Sequence, residues 1–390
     1  MNDFNFYAPT YFSFGRKKEE EAGKLVKRFG GTKVLIHYGG GSIIKSGLLD
    51  RVKKSLSDEK IEFIELGGVV PNPLSGKVYE GIELCKKENI DFILAVGGGS
   101  AIDSAKAIAA GAVYDGDFWD YYSKSQLVDI ALPVATILTI AAAGSEGSPN
   151  SVITHENGNL KRGASGEAFR PKFSILNPEL TCTLPKYQTA CGITDIMAHV
   201  CERYFTNTKN VETTDRLCEA ILKTMIEESP KVIRDSNNYE ARANIMWAGM
   251  IAHNNLCGVD RDQDWASHRI EHELSAKYDV AHGAGLAVVM PAWMEYVMNH
   301  NINRFVQFAN RIWNCDINFE NPEITAKQGI NCFRNFLNSI EMPKNFEEVG
   351  AKEEDIEKLV SKIGLNENET IGGFMPLENK DIEAIYRLCL

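Results

Sequence analysis

The sequence predicts an α/β dinucleotide-binding domain with a mostly parallel sheet, followed by an all-α domain that carries a metal site. Three observations lead there. Apolar strands alternate with helical patterns through the first half, glycines follow two of those strands directly, and strand patterns nearly vanish beyond residue 183. Continuous apolar strands separated by helices mark a parallel sheet covered on both faces. A chain of 390 residues fits two domains better than one core, and we expect them at 1–182 and 183–390.

Element by element, "KVLIHYGGGS" (33–42) runs from β-branched and apolar residues into glycines, and a charged helical pattern continues to about residue 57. "IEFIEL" (61–66) is a second strand, and a helix begins after Pro73. "DFILAVGGGS" (91–100) repeats the strand-into-glycine pattern before a small-residue helix at 101–112, with Ser100 as its expected cap. "IALPVATI" (130–137) is a fourth strand. Helical periodicity then covers 186–205, 210–229, 237–256, 263–277, 284–299, 301–313 and 323–339.

Composition excludes several classes. The formal charge is -11 and no long Lys/Arg cluster interrupts it, which argues against a nucleic-acid partner. The nine cysteines form no CxxC pair, as expected of free thiols in a reducing compartment. "MNDFNFYAPTYFSFG" lacks a basic region followed by an apolar run, and "IALPVATILTIAAAG" (130–144) is too short to span a bilayer. A cytoplasmic protein without a membrane partner is expected.

"GGGS" occurs at 39–42 and 97–100. Glycines let a ligand approach the backbone, and the free N–H groups of a helix start can hold a phosphate. The pattern is not GxGxxG, so a tight turn with close helix packing stays open as the other reading. NAD sites usually place a carboxylate on the ribose 2′-hydroxyl. Gly39, Gly40, Gly41 and Ser42 offer none, which favours NADP.

Asp195 and His199 stand four apart in "CGITDIMAHVCERYF", as do His268 and His272 in "SHRIEHELSAKYDVAHG", where His282 follows. On a helix, residues i and i+4 share a face, so one ion could touch both. Carboxylate and imidazole donors without thiolate suit Fe(II) or Zn(II). Asp195, His199, His268 and His282 form the expected ligand set, with unrelated, separately satisfied polar groups as the other reading. His272 is open between fifth ligand, proton carrier and surface residue, and the proton role is favoured because four ligands suffice. His37, His155, His253 and His300 read as incidental.

The segments "GGGSAIDSAK" (97–106), "GSE" (144–146), "GITDIMAHVCE" (192–202), "HRIEHELSAKYDVAHG" (268–283) and "PAWMEY" (291–296) resemble the iron-containing (group III) alcohol dehydrogenases, within them the NADP-linked butanol dehydrogenase or aldehyde reductase branch. The resemblance implies the dehydroquinate synthase-like fold, with Fe(II) or Zn(II) on Asp195, His199, His268 and His282 between the domains. It also implies a pyrophosphate cradled by Gly97, Gly98, Gly99 and Ser100 near Asp103, and a 2′-phosphate at Gly40, Gly41 and Ser42. Pro71 and Asn72 would line the adenine-ribose end. Thr136, Thr139 and Ser145 would line the nicotinamide side, with Lys161 another cofactor neighbour and His272 a proton relay. Ala143 replaces the family's threonine in "AAGSE".

The implied activity is hydride transfer between NADP(H) and a short- to medium-chain primary alcohol or aldehyde, by a homodimer. Glycerol or another polyol with NAD is a rival substrate reading. Dehydroquinate synthase would want a richer Lys/Arg pocket, and a metallohydrolase would have no use for paired nucleotide loops.

Overall fold

A computed structural model of the chain describes residues 1–124 and 126–390. Its strands are β1 (Tyr11–Phe14), β2 (Lys33–Tyr38), β3 (Glu62–Leu66), β4 (Phe92–Gly97), β5 (Val134–Leu138), β6 (Asn150–His155), β7 (Leu160–Ser165) and β8 (Phe173–Leu176). Six of them make one parallel sheet in the order β1-β8-β5-β4-β2-β3, while β6 and β7 form an antiparallel hairpin. Strand β4 is buried at every position because it sits mid-sheet with helices on both faces. Its side chains alternate: Ile93 and Ala95 enter one core, and Phe92, Leu94 and Val96 enter the other. Full burial of Phe92, Ile93, Leu94 and Val96 contributes about 1.5–3 kcal/mol each.

Several expectations shift. The strand expected at 130–137 begins at Val134, since Pro133 cannot donate to a ladder. Ser100 is not the cap of its helix. That helix spans Gly99–Val113, with Gly98 as the N-cap and no side-chain cap bond.

The chain divides into two compact units, and neither is continuous. The sheet unit is Tyr7–Leu184 with Asn237–Asn254, and the helical unit is Met1–Phe6, Pro185–Ser236 and Asn255–Leu390. A single cut at 183 would leave the helix Tyr239–His253 outside the sheet unit. Its Trp247 ring packs edge-on against Phe12 and Phe14, at 5.9 and 5.8 Å between centroids. Its Met246 lies in the sheet unit's core.

The helical unit contains the helices Lys186–Tyr204, Glu212–Arg234, Ala266–Tyr278, His282–Val297, Ile302–Trp313, Pro322–Ser339, Ile356–Ile363 and Asn379–Arg387. The first is buried on every side from Thr189 to Tyr204, although that stretch includes Asp195, His199, Glu202 and Arg203. Buried polar groups need partners, so this helix marks where the chemistry sits. Among the described residues, no helix is long and apolar enough to cross a membrane.

Candidate metal centre and glycine loops

Three helices of the helical unit bring the expected ligands together. Asp195 Oδ1 lies 3.8 Å from His199 Nε2, 3.7 Å from His268 Nε2 and 3.8 Å from His282 Nε2. Donor atoms of Asp195, His268 and His282 all fall within 4.8 Å of one another. The His199 and His268 rings stack at 4.7 Å.

Two glycines make this approach possible. A Cβ at Gly283 would stand 2.0 Å from the Cys191 carbonyl oxygen, so the His282 helix meets the Asp195 helix backbone to backbone. A Cβ at Gly285 would stand 2.4 Å from Glu271 Oε1. The glycines after His282 therefore serve helix packing and a glutamate.

The donors fit a divalent ion. Asp195 Oδ1 and His268 Nε2 are buried without a hydrogen-bond partner, which costs about 1–3 kcal/mol each unless something else satisfies them. Burial alone would lower the His268 pKa, but Asp195 and Glu202 outweigh it and push the pKa up to about 9. Three imidazole Nε2 atoms around an unmet carboxylate oxygen fit a cation in charge and chemistry. Burial pushes the nearby Cys191 thiol up to about 12, which disfavours a thiolate ligand there.

His272 is half-buried, and its ring lies 5.6 Å from that of His282. It stands beside the donor set, in a second possible group with Glu271 and His282. His37 is a core histidine between the Leu66 carbonyl (3.0 Å) and Ser104 Oγ (2.8 Å), with its pKa lowered by burial to about 4.

Composition did not single out Glu202 and Glu271. His268 Nδ1 donates to Glu202 Oε1 at 2.8 Å, and His282 Nδ1 pairs with Glu271 Oε2. The available signal was a repeated H-x-x-E, at His199–Glu202 and His268–Glu271.

In the sheet unit, both glycine loops follow the carboxyl ends of adjacent parallel strands. Tyr38 of β2 is level with Val96 of β4, and Gly97 with Leu138 of β5. Chain order reverses here: β2 leads outward to β3, whereas β4 leads to β5 on the other side. Open α/β sheets bind ligands at such a switch point. Gly40, Gly41 and Ser42 are exposed, and a Cβ at Gly40 would meet nothing within 4 Å. At the second loop, a Cβ on Gly98 would come 3.1 Å from Ile140, and one on Gly99 3.2 Å from Ala143. The Gly99 and Ser100 N–H groups at the start of the Gly99–Val113 helix have no intrahelical partner, and the helix has no side-chain cap. Small residues thus keep side chains off the backbone N–H groups at this helix start.

The remaining expected cofactor residues divide. Thr139 follows β5 and is half-buried, Pro71 is exposed, and Asn72 is half-buried with φ 52°. Thr136 is wholly buried inside the sheet and donates to Ser174 at 2.8 Å. Lys161 is buried on β7, opposite Thr154. Asp103 accepts from Val152 N at 2.9 Å and from the Ser145 hydroxyl, which ties the cradle helix to the 145–152 segment.

That segment rests on an unforeseen residue. The buried Lys106 donates to the carbonyls of Ser145 (2.7 Å), Ser148 (3.0 Å) and Asn150 (2.8 Å). Burial lowers the Lys106 pKa to about 8 and raises that of buried Glu146 to about 7.

Comparison with known proteins matches both parts of the chain to one family. Residues 9–178 match the family described as iron-containing alcohol dehydrogenase, and 189–390 match the C-terminal domain of the Fe-containing alcohol dehydrogenase family. The chain is 42% identical to NADH-dependent butanol dehydrogenase A of Clostridium acetobutylicum, over 99% of each chain. It is 34% identical to the NADPH-dependent aldehyde reductase YqhD of Escherichia coli, over 98% of this chain and 97% of that one. The crystal structure of NADH-dependent butanol dehydrogenase A from Thermotoga maritima superposes with a TM-score of 0.96 at 42% identity, covering 100% of this chain and 99% of that one.

Proposed function

The chain belongs to the iron-containing alcohol dehydrogenase family, and from that premise we propose that it interconverts short- to medium-chain primary alcohols and aldehydes with NADP(H). The observation that carries this reading is the buried, unmet Asp195 Oδ1 facing three imidazole Nε2 atoms at 3.7–3.8 Å. Asp195, His199, His268 and His282 would hold one divalent ion, Fe(II) or Zn(II). Such an ion supplies Lewis acidity toward a carbonyl or alcohol oxygen, and a bound nicotinamide supplies or accepts the hydride.

The chain's own residues bind, orient and handle protons. Gly97, Gly98, Gly99 and Ser100 offer backbone donors to a pyrophosphate, and Asp103, Ser145 and Lys106 hold the neighbouring segment in place. Gly40, Gly41 and Ser42 present N–H groups, a hydroxyl and no carboxylate, which suits a 2′-phosphate. Pro71, Asn72, Thr139 and Lys161 complete the proposed cofactor set. His272, beside His282 but outside the four donors, would carry the proton exchanged with substrate oxygen. A cytoplasmic homodimer is the proposed working form.

Relatives named for NADH and for NADPH are both at hand, so cofactor preference is the sharpest test. Butanal reduction by metal-defined protein should be faster with NADPH than with NADH at equal concentration. A clear advantage for NADH would overturn the reading of Gly40, Gly41 and Ser42.

A further inference from the structure

We propose that Glu202 and Glu271 are positioning residues for the metal ligands, each orienting a histidine on another helix rather than its own. Each glutamate would hold one imidazole by its Nδ1–H, so that Nε2 is the nitrogen turned toward Asp195. The inference rests on reading Asp195, His199, His268 and His282 as a metal centre.

Both glutamates are completely buried. A buried carboxylate costs several kcal/mol unless it is paired and hydrogen-bonded, so its partners reveal its use. Glu202 Oε1 accepts from His268 Nδ1 at 2.8 Å and from the His268 backbone N–H at 3.0 Å, while Oε2 accepts from Trp265 N at 2.8 Å. It thereby fixes both the ring of His268 and the start of the helix that carries it. Glu271 pairs through Oε2 with His282 Nδ1 and accepts through Oε1 from the Ser275 hydroxyl, whose oxygen lies 3.1 Å from the Val280 carbonyl. The missing side chain of Gly285 leaves the room Glu271 occupies.

The direction of these bonds is the informative part. H-x-x-E places each glutamate one turn beyond a ligand histidine on its own helix, yet both reach across to another helix. The Asp195 helix orients the ligand of the His268 helix, and that helix orients the ligand of the His282 helix. A neutral imidazole carries one N–H, and donating it from Nδ1 leaves the Nε2 lone pair for a metal. Nε2 of both rings points to Asp195 Oδ1, at 3.7 and 3.8 Å.

The competing arrangement is a second ion on Glu271, His272 and His282, which would make Glu271 a ligand. Zinc titration of the chelator-stripped full chain, in competition with a chromophoric chelator, separates the readings. Wild type should bind one zinc per chain. Glu271→Leu, which removes the acceptor, should weaken zinc about 10–100-fold. Glu271→Gln, which keeps an acceptor without the charge, should fall between it and wild type. The zinc-induced rise in melting temperature should shrink in the same order. Glu202→Gln should act in the same direction, and Glu271 carries the test if that variant misfolds.

Asp195→Ala is the control for the centre itself. Wild-type affinity in Glu271→Leu, with binding lost in Asp195→Ala, overturns the positioning role and leaves the metal centre standing. Undiminished binding in Asp195→Ala overturns the centre and the proposal together. Two zinc ions per wild-type chain, with one lost in the Glu271 variants, overturns the proposal by making Glu271 a ligand.

Discussion

The candidate metal centre and the glycine loops are built on opposite plans. At the centre, side chains from three buried helices converge on Asp195 Oδ1, and carboxylates hold two of the imidazoles. At the loops, side chains are withheld so that the backbone lies uncovered, and polar support comes from Asp103, Lys106 and Ser145. The lesson is that a glycine means different things in the two places. Gly283 and Gly285 close a gap between helices, whereas Gly40 keeps a space open.

The harshest way to break the first plan is Asp195→Ala. It should abolish stoichiometric metal binding and lower aldehyde reduction about a thousandfold or more, the loss of several kcal/mol of transition-state stabilisation. Steady-state turnover beside metal content checks both.

The next effect probes the charge hidden beneath the loops. Burial raises the Glu146 pKa to about 7, so the folded state holds that proton more tightly than the unfolded state does. Its contribution is fully present below pH 4.5 and is lost as pH rises to about 7. Glu146→Gln should remove that loss, so the stability difference between variant and wild type should change by about 3 kcal/mol from pH 4 to pH 8. Urea unfolding at the two pH values measures it, and an unchanged difference would contradict the burial argument.

The two meanings of glycine can be compared directly. Gly283→Ala drives a Cβ onto the Cys191 carbonyl and should cost about 1–3 kcal/mol, together with zinc affinity. Gly40→Ala should change stability by no more than about 0.5 kcal/mol. Equal melting temperatures for the two variants would erase the contrast. The same position also tests cofactor choice: Gly40→Asp should cut the NADPH-to-NADH preference about tenfold by setting a carboxylate where a 2′-phosphate would lie, as read from kcat/KM for each cofactor.

The sequence made residue type and local period legible. The i, i+4 spacing placed Asp195 and His199 on one face, and strand-into-glycine patterns located both loops at the sheet's carboxyl edge. Pairing between distant segments was hidden. Nothing local says that Glu202 will meet His268, or that Lys106 will gather carbonyls some forty residues ahead. The four-residue strands β1 and β8 are too short to show a period. Helical periodicity found the segment around Tyr239–His253 but could not say that it packs with the sheet unit, because that depends on Phe12 and Phe14.

That last placement bears on how the chain is made. The sheet unit stays incomplete on the ribosome after Leu184 emerges, because its final segment ends only at Asn254, about 70 residues later. At roughly 5–20 residues per second, the nascent sheet unit waits several seconds for that segment. Meanwhile the surface destined for Trp247 and Met246 is open to chaperones.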